Sequence, residues 1–340
     1  MILFKAYNSI ENTFDEGFMD IISLEGFDKQ EFAVQEKVHG SNVCFITDGK
    51  TVSFGKRTGF VEVGEVFFLY EALLERYTHR VIALFLMVKK EYPEIEMLTI
   101  FGEMFGGSYP HPDVENDRKI MCIQKGVYYC PQHEFYAFDL YVKTAESGRY
   151  LSVDEANAFY EQGGFFYAKT LFRGTLAQCL QYPNDAPSLI HEWLGFPPIE
   201  DNVCEGVVIR PVKPTYLSNG ARVLLKSKNV RFSEKKSRKK RDPKLFVPPS
   251  YSEQLLELLN IVEQYVTENR LNNVVSKIGQ ISLPKEVGML MGLFSKDILE
   301  DFLKEHSGEY AAIEKMEQKI FNRHVNTMAV NLIKQVYFHQ

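Results

Sequence analysis

Between Glu31 and Asn229 the chain alternates short runs of β-branched and aromatic residues with glycine-marked turns. After Pro248-Pro249-Ser250 it reads almost only as helix. One sheet-based core does not accommodate both patterns, so the switch predicts two domains divided near 245–250. In the first part, strands are expected from Glu31 to Gln35, Val43 to Thr47, Thr51 to Arg57, and Leu98 to the glycines at 106 and 107. Others are expected over Glu134 to Val142, Phe165 to Phe172, Val203 to Val212 and Ala221 to Asn229. Asp48-Gly49 between β-branched residues marks a hairpin. Helical spacing of apolar residues runs from Gly64 to Glu91 and stops at Pro93, and Ser152 with Glu155 forms a capping box. A short helix or turn is expected near Glu11 to Met19. In the second part, helices are expected over 252–269, 284–293, 295–305 and 308–338, punctuated by Pro284 and Gly308.

At 340 residues, 45% apolar and 25% charged, the chain is an ordinary soluble globular protein by composition. Met1 to Ile10 carries Lys5 and has no long apolar core, so it does not resemble a secretion signal. The most apolar run, near Val81 to Val88, is too short to span a bilayer. Five cysteines, an odd number without C-x-x-C, fit the cytoplasm or another reducing intracellular compartment. Cys122, Cys130 and His133 match no common zinc spacing.

The net charge of −6 is unevenly distributed. Residues 226–244 hold ten Lys or Arg against Glu234 and Asp242, whereas residues 1–225 sum to −11. A positive segment on an acidic chain can bind a polyanion locally. It is equally read as a solvated linker or a nuclear-import-like patch.

The polar residues expected at strand ends make a pattern that suits nucleotidyl transfer. Lys37 lies in Glu36-Lys37-Val38-His39-Gly40-Ser41-Asn42, between two expected strands, where a glycine lets the backbone turn closely. Alone such a lysine more often reads as a solvated one before a turn. Downstream come Lys56-Arg57, Glu103, Phe138-Asp139, Glu205, and Lys226 with Lys228. A lysine nucleophile must be a free amine, which neighbouring cations or burial favour. Lys226 and Lys228, two apart on a strand, share a face and reach one phosphate. Mg²⁺ needs only one or two carboxylates.

The ordered motifs Glu-Lys-x-His-Gly-x-Asn at 36–42, Lys-Arg-Thr-Gly at 56–59 and Phe-Gly-Glu at 101–103 lead to three more. These are Phe-Asp-Leu at 138–140, Glu-Gly-Val-Val-Ile at 205–209 and Leu-Lys-x-Lys-Asn at 225–229. Together they resemble the RNA ligase 2 branch of the covalent nucleotidyltransferases, which includes phage ligases of nicked double-stranded RNA and kinetoplastid RNA-editing ligases. The resemblance covers about Glu31 to Glu234, and the helical tail matches it in architecture.

The resemblance implies an α+β fold. An N-terminal nucleotidyltransferase domain over 1–245, with antiparallel sheets, flanking helices and an ATP-grasp-like ligase core, precedes a small all-α domain over 250–340 that engages RNA at the nick. It implies an ATP-dependent RNA ligase that joins a 3′-hydroxyl to a 5′-phosphate, with ATP and Mg²⁺ (Mn²⁺ in its place) as cofactors and RNA, as nicked duplex or free ends, as partner. It implies a monomer without membrane association. Residue by residue, Lys37 takes AMP, with His39 and Asn42 near the phosphates and assisting the chemistry. Glu36 and Val38 lie at the adenine and Phe138 stacks on it. Arg57 contacts the nucleotide and Glu103 its ribose. Asp139 supports the pocket, Glu205 is the metal-associated carboxylate, and Lys226 and Lys228 contact the α-phosphate. Some relatives carry Lys where Arg210 stands, which leaves the part of Arg210 open. Rival readings are a capping-type guanylyltransferase, a DNA ligase, or an RNA-binding protein using residues 226–244. The first two usually show Lys-x-Asp-Gly and an appended β-barrel, whereas His39 replaces the aspartate here.

Overall fold

A computed structural model of the protein describes residues 2–62, 64–233, 251–279 and 286–338. The chain divides into two compact units, Met1–Arg231 and Phe232–Gln340. The boundary expected at 245–250, and residues 234–244 of the basic run, lie outside the described residues.

Two sheets build the first unit. The five-stranded sheet has the order β1-β11-β10-β2-β9, from β1 (Glu11–Asn12), β2 (Phe32–Glu36), β9 (Thr170–Gly174), β10 (Gly206–Pro211) and β11 (Leu225–Lys228). The six-stranded sheet has the order β5-β4-β3-β6-β7-β8. Its strands are β3 (Ser41–Thr47), β4 (Val52–Lys56), β5 (Gly59–Phe60), β6 (Met97–Gly106), β7 (His133–Lys143) and β8 (Gly148–Tyr150).

Alternation along each strand decides which face is buried. In the six-stranded sheet Val43, Phe45, Leu98, Ile100, Phe135, Leu140 and Val142 pack with α2 (Tyr70–Glu91) and α3 (Val153–Gln162). The α2 stripe of Leu73, Tyr77, Val81, Leu84, Phe85 and Val88 has helical spacing, and burying each such side chain stabilises the fold by about 1.5–3 kcal/mol. In the five-stranded sheet Phe32, Val34, Val207, Ile209 and Leu225 pack on Ile22 of α1 (Glu16–Leu24) and on α4 (Leu176–Cys179). The remaining faces of the two sheets line a common cleft.

Three expected boundaries move. The helix α2 starts at Tyr70 rather than Gly64, because Gly64 and Phe68 take left-handed φ of 84° and 49°. The strand expected from Phe165 starts at Thr170, preceded only by an isolated Ala137–Tyr167 bridge. Near the N-terminus Glu11–Asn12 pairs as a strand, and α1 begins only after Asp15, whose carboxylate accepts the Phe18 N–H at 3.1 Å.

The described residues of the second unit form α6 (Glu253–Val262), α7 (Glu268–Ile278), α8 (Val287–Ala312) and α9 (Lys315–Phe338), with no strand among them. Leu258, Val262, Leu271, Leu290, Phe294, Ile298, Phe302, Phe321 and Val325 make its core. The break expected between 293 and 295 does not occur, because Phe294 belongs to the same buried stripe as Leu290 and Ile298. The chain bends at His306 instead, where φ is −126°.

Candidate active site

Three neighbouring strands of the five-stranded sheet carry polar groups into the cleft in register. Lys226 stands opposite Val208, and Val208 opposite Gln35. One step along, Lys228 stands opposite Gly206, and the Lys37 N–H donates to the Gly206 carbonyl at 2.9 Å. Gly206 thus separates two lysines without a side chain of its own. Its φ is 146°, and a Cβ there would lie 2.1 Å from the Ser227 carbonyl oxygen.

Glu205, 1% exposed, shares one carboxylate among three groups. Its Oε2 lies 2.7 Å from Lys37 Nζ and 3.3 Å from His39 Nδ1, and its Oε1 lies 3.2 Å from Lys228 Nζ. Burial pushes its pKa up, but Lys37, His39 and Lys228 outweigh that and hold it well below the usual carboxylate range. The His39 backbone N–H donates to the Tyr129 hydroxyl at 2.8 Å. Gly40 is required by close approach, since a Cβ would meet the Met104 carbonyl oxygen at 2.3 Å.

On the facing sheet Asn42 pairs across strands with Glu103, and Glu103 with Tyr136. Burial lifts the Glu103 carboxyl to about 7; Lys37 and Arg57 oppose that rise and Glu205 adds to it. The β4 hairpin delivers Arg57 to this field but turns Lys56 away, where its ammonium pairs with Glu65 and stands 5.8 Å over the Phe67 ring. Glu36 is buried and accepts from Ser188 Oγ at 2.6 Å and Leu189 N–H at 2.9 Å, at the entry to α5 (Ile190–Trp193). Burial still lifts its carboxyl to about 7. Val38 is buried and lines the cleft with it.

A β-bulge places the aromatic wall. Phe101 pairs with Asp139 and Gly102 with Ala137, so Phe138 is an extra residue in β7. It lines the cleft, half-buried, with its ring 5.0 Å from that of Tyr7. Asp139, fully buried, accepts from Arg210 Nη2 at 2.9 Å, from Arg222, and from the Tyr7 hydroxyl at 2.9 Å. Burial opposes its ionisation, yet the two guanidinium groups keep its pKa below the ordinary value. Arg210 also donates to the Phe138 carbonyl at 3.0 Å, so one cluster ties the two sheets and fixes the wall. Arg222, Tyr7, Ser188 and Tyr129 carry no motif in the sequence; Arg222, Ser188 and Tyr129 show only as a polar group inside an apolar run, and Tyr7 not at all.

The cleft is lined mostly by apolar surface with a few converging polar groups, as small-molecule sites are. Its apolar patch of Val38, Val208 and Phe138, its cations at one end and its two carboxyls fit a purine nucleotide with a divalent cation.

A family model described as RNA ligase matches residues 30–228, and one described as T4 RNA ligase 2 C-terminal matches residues 249–331. The mitochondrial RNA-editing ligase 2 of Trypanosoma brucei brucei is 28% identical over 381 residues, covering 95% of this chain and 88% of that protein. The mitochondrial RNA-editing ligase 1 of the same organism is 30% identical over 350 residues, covering 85% of this chain and 74% of that protein. A solved structure of Naegleria gruberi RNA ligase with pyrophosphate aligns at a TM-score of 0.41 and 15% identity, over 68% of this chain and 58% of that one. The match to the RNA ligase model over more than half the chain, with a 30% identical relative spanning most of it, shows that the chain belongs to the RNA ligase family, in the branch of RNA ligase 2.

Proposed function

We propose that this ATP-dependent RNA ligase seals a 3′-hydroxyl to a 5′-phosphate at nicks in duplex RNA, with Lys37 as the nucleophile that carries AMP. The observation that supports this most is the Glu205 carboxylate holding Lys37 and Lys228 on either side of Gly206. An amine and a second cation presented to one small space suit attack on a phosphorus centre whose oxygens need neutralising.

In the first step Lys37 Nζ, as a free amine, forms a P–N bond to the α-phosphorus of ATP. The P–O bond to pyrophosphate breaks, and the amine's proton passes to solvent. Glu205, held ionised by its neighbours, is too weak a base to keep that proton and orients the amine instead. Lys226 and Lys228 neutralise the α-phosphate oxygens, with His39 and Asn42 close by. Phe138 stacks on the adenine across from Val38, Glu36 meets its edge, Glu103 meets the ribose, and Arg57 contacts the nucleotide. Glu205 would hold Mg²⁺, or Mn²⁺, which when bound neutralises phosphate charge. In the second step a 5′-phosphate oxygen of RNA displaces Lys37 from AMP, and in the third the 3′-hydroxyl displaces AMP and seals the strand.

The helical second unit engages the duplex, whose shallow groove is read by shape and 2′-hydroxyls. The chain acts as a monomer, in a reducing compartment that keeps its five free cysteines as thiols. No helix among the described residues is long and apolar enough to cross a membrane. The absence of strands among the described residues of the second unit disfavours the β-barrel that capping enzymes and DNA ligases append.

Incubation with labelled ATP and Mg²⁺, followed by peptide mapping, tests the reading. AMP should be found on Lys37, and Lys37→Ala should take up none while still binding RNA. An adduct on another residue, or one from GTP or NAD⁺ in preference to ATP, would refute it.

A further inference from the structure

The nucleotide cleft uses only one end of the inward face of the six-stranded sheet. At the other end Met97, Thr99, Tyr141 and Lys143 join Phe4 and Lys5 of the N-terminal segment to line a second pocket. Strand register sets Met97 opposite Lys143 and Thr99 opposite Tyr141. These form two adjacent cross-strand pairs on the face that carries Glu103 and Tyr136 further along. Thr99 and Glu103 are separated along β6 by roughly 13 Å. The N-terminal segment links the two pockets, because Tyr7, two residues after Lys5, lines the nucleotide cleft.

The charge in this second pocket is one-sided. No Asp or Glu lines it, and neither Lys5 nor Lys143 forms an ion pair among the described residues. Lys5 Nζ instead stands 4.5 Å over the Tyr141 ring and 5.5 Å over the Tyr150 ring, contacts that hold the ammonium without supplying a counter-anion. Burial, then the charge of Arg222, lowers the Lys5 pKa. The nearest cleft-face carboxylate, Asp139, is already bound to Arg210 and Arg222. Two ammonium groups, a phenol and a threonine hydroxyl around one hollow offer donors to a tetrahedral oxyanion.

We propose that this pocket binds a phosphate group, and that in the working enzyme this is a backbone phosphate of the RNA being joined. The RNA assignment rests on the chain being an RNA ligase; a free phosphate ion has the same chemistry, and the experiment separates the two. The test uses the full chain with Lys5→Gln and Lys143→Gln combined, and Lys143→Gln alone as a milder variant that leaves the Lys5–tyrosine contacts in place. AMP attachment from labelled ATP should be unchanged in both, which keeps failure here distinct from failure of the Lys37 assignment.

Nicked-RNA affinity is then measured across a salt series. In the double variant binding should weaken, and the plot of log K against log salt should become shallower by about one, the signature of one lost phosphate contact. An unchanged slope together with a phosphate-induced rise in Tm that both variants lose would assign the pocket to free phosphate and overturn the RNA assignment. An unchanged slope and an unchanged response to phosphate would overturn the proposal.

Discussion

Replacing Glu36 by Gln removes a charge that the fold tolerates only at a cost. The side chain is 3% exposed, and burial lifts its carboxyl from 4.5 to about 7 despite hydrogen bonds from Ser188 and Leu189. A carboxyl whose folded-state pKa is raised favours folding while it is protonated. That contribution is fully present below the unfolded value and is lost as pH rises through the folded one. A rise of this size corresponds to about 3 kcal/mol, of which about 2.5 kcal/mol develops between pH 5 and pH 8.5. Gln preserves the local bonding, since its carbonyl accepts from the Leu189 N–H and its amide donates to the Ser188 hydroxyl. Glu36→Gln should therefore lie within about 1 kcal/mol of the parent near pH 5 and exceed it by about 3 kcal/mol at pH 8.5. Urea unfolding of the ligand-free protein at the two pH values measures this. The single tryptophan, Trp193, lies in the first unit beside the Glu36 contacts and serves as the probe. The midpoint should move by about 1 M at the higher pH. A difference that does not depend on pH, or a variant less stable at pH 8.5, would refute the reasoning.

Three further perturbations follow from the same geometry. Asp139→Asn leaves Arg210 and Arg222 buried without a counter-charge, so Trp193-monitored unfolding should show a loss of about 3–5 kcal/mol; a loss below about 1 kcal/mol would contradict the cluster's role. Because the folded Asp139 pKa is depressed, its contribution should persist above about pH 4 and fall away in acid as pH passes through the folded value. Gly206→Ala forces a Cβ onto the Ser227 carbonyl at a left-handed backbone position; it should cost about 1–3 kcal/mol from strain alone and abolish AMP attachment, and a variant with parental Tm and labelling would refute this. Removing residues after about 248 should leave AMP attachment intact while sealing of nicked duplex collapses, because every residue assigned to nucleotide chemistry lies earlier; a well-folded truncation that no longer takes up AMP would contradict it.

Features decided by short-range bonding were legible in the sequence. Asp48 accepts from the Lys50 and Thr51 N–H groups at 3.0 and 2.9 Å and closes the hairpin that its Asp-Gly pair announced. Ser152 and Glu155 complete the capping box they spell. The helix α7 was missed because Asn272, Asn273, Val274 and Val275 have poor helix propensity. Its buried Arg270 is held from α8, by Asp297 at 2.8 Å and Asp301 at 2.6 Å, a contact no local window contains. The order of motifs located the residues that meet at the cleft, Lys56 excepted, but not what holds them. Tyr7 and Arg222 reach Asp139 across 132 and 83 residues of sequence, and Ser188 reaches Glu36 across 152.

The extra residue in β7 separates the strand ladder from the wall of the cleft. If Phe138 were deleted, Ala137 and Asp139 would become neighbours and the ladder with β6 would run without interruption. Leu140 and Val142 would keep their places beneath α2, and the carboxylate of Asp139 would still face its guanidinium partners. Such a chain would keep that ladder while losing the ring that stands 5.0 Å from Tyr7 and the carbonyl that accepts from Arg210. The ladder and the aromatic wall are thus written here in partly different letters: the pairing with β6 does not need the extra residue, whereas the ring beside Tyr7 and the carbonyl bound by Arg210 do.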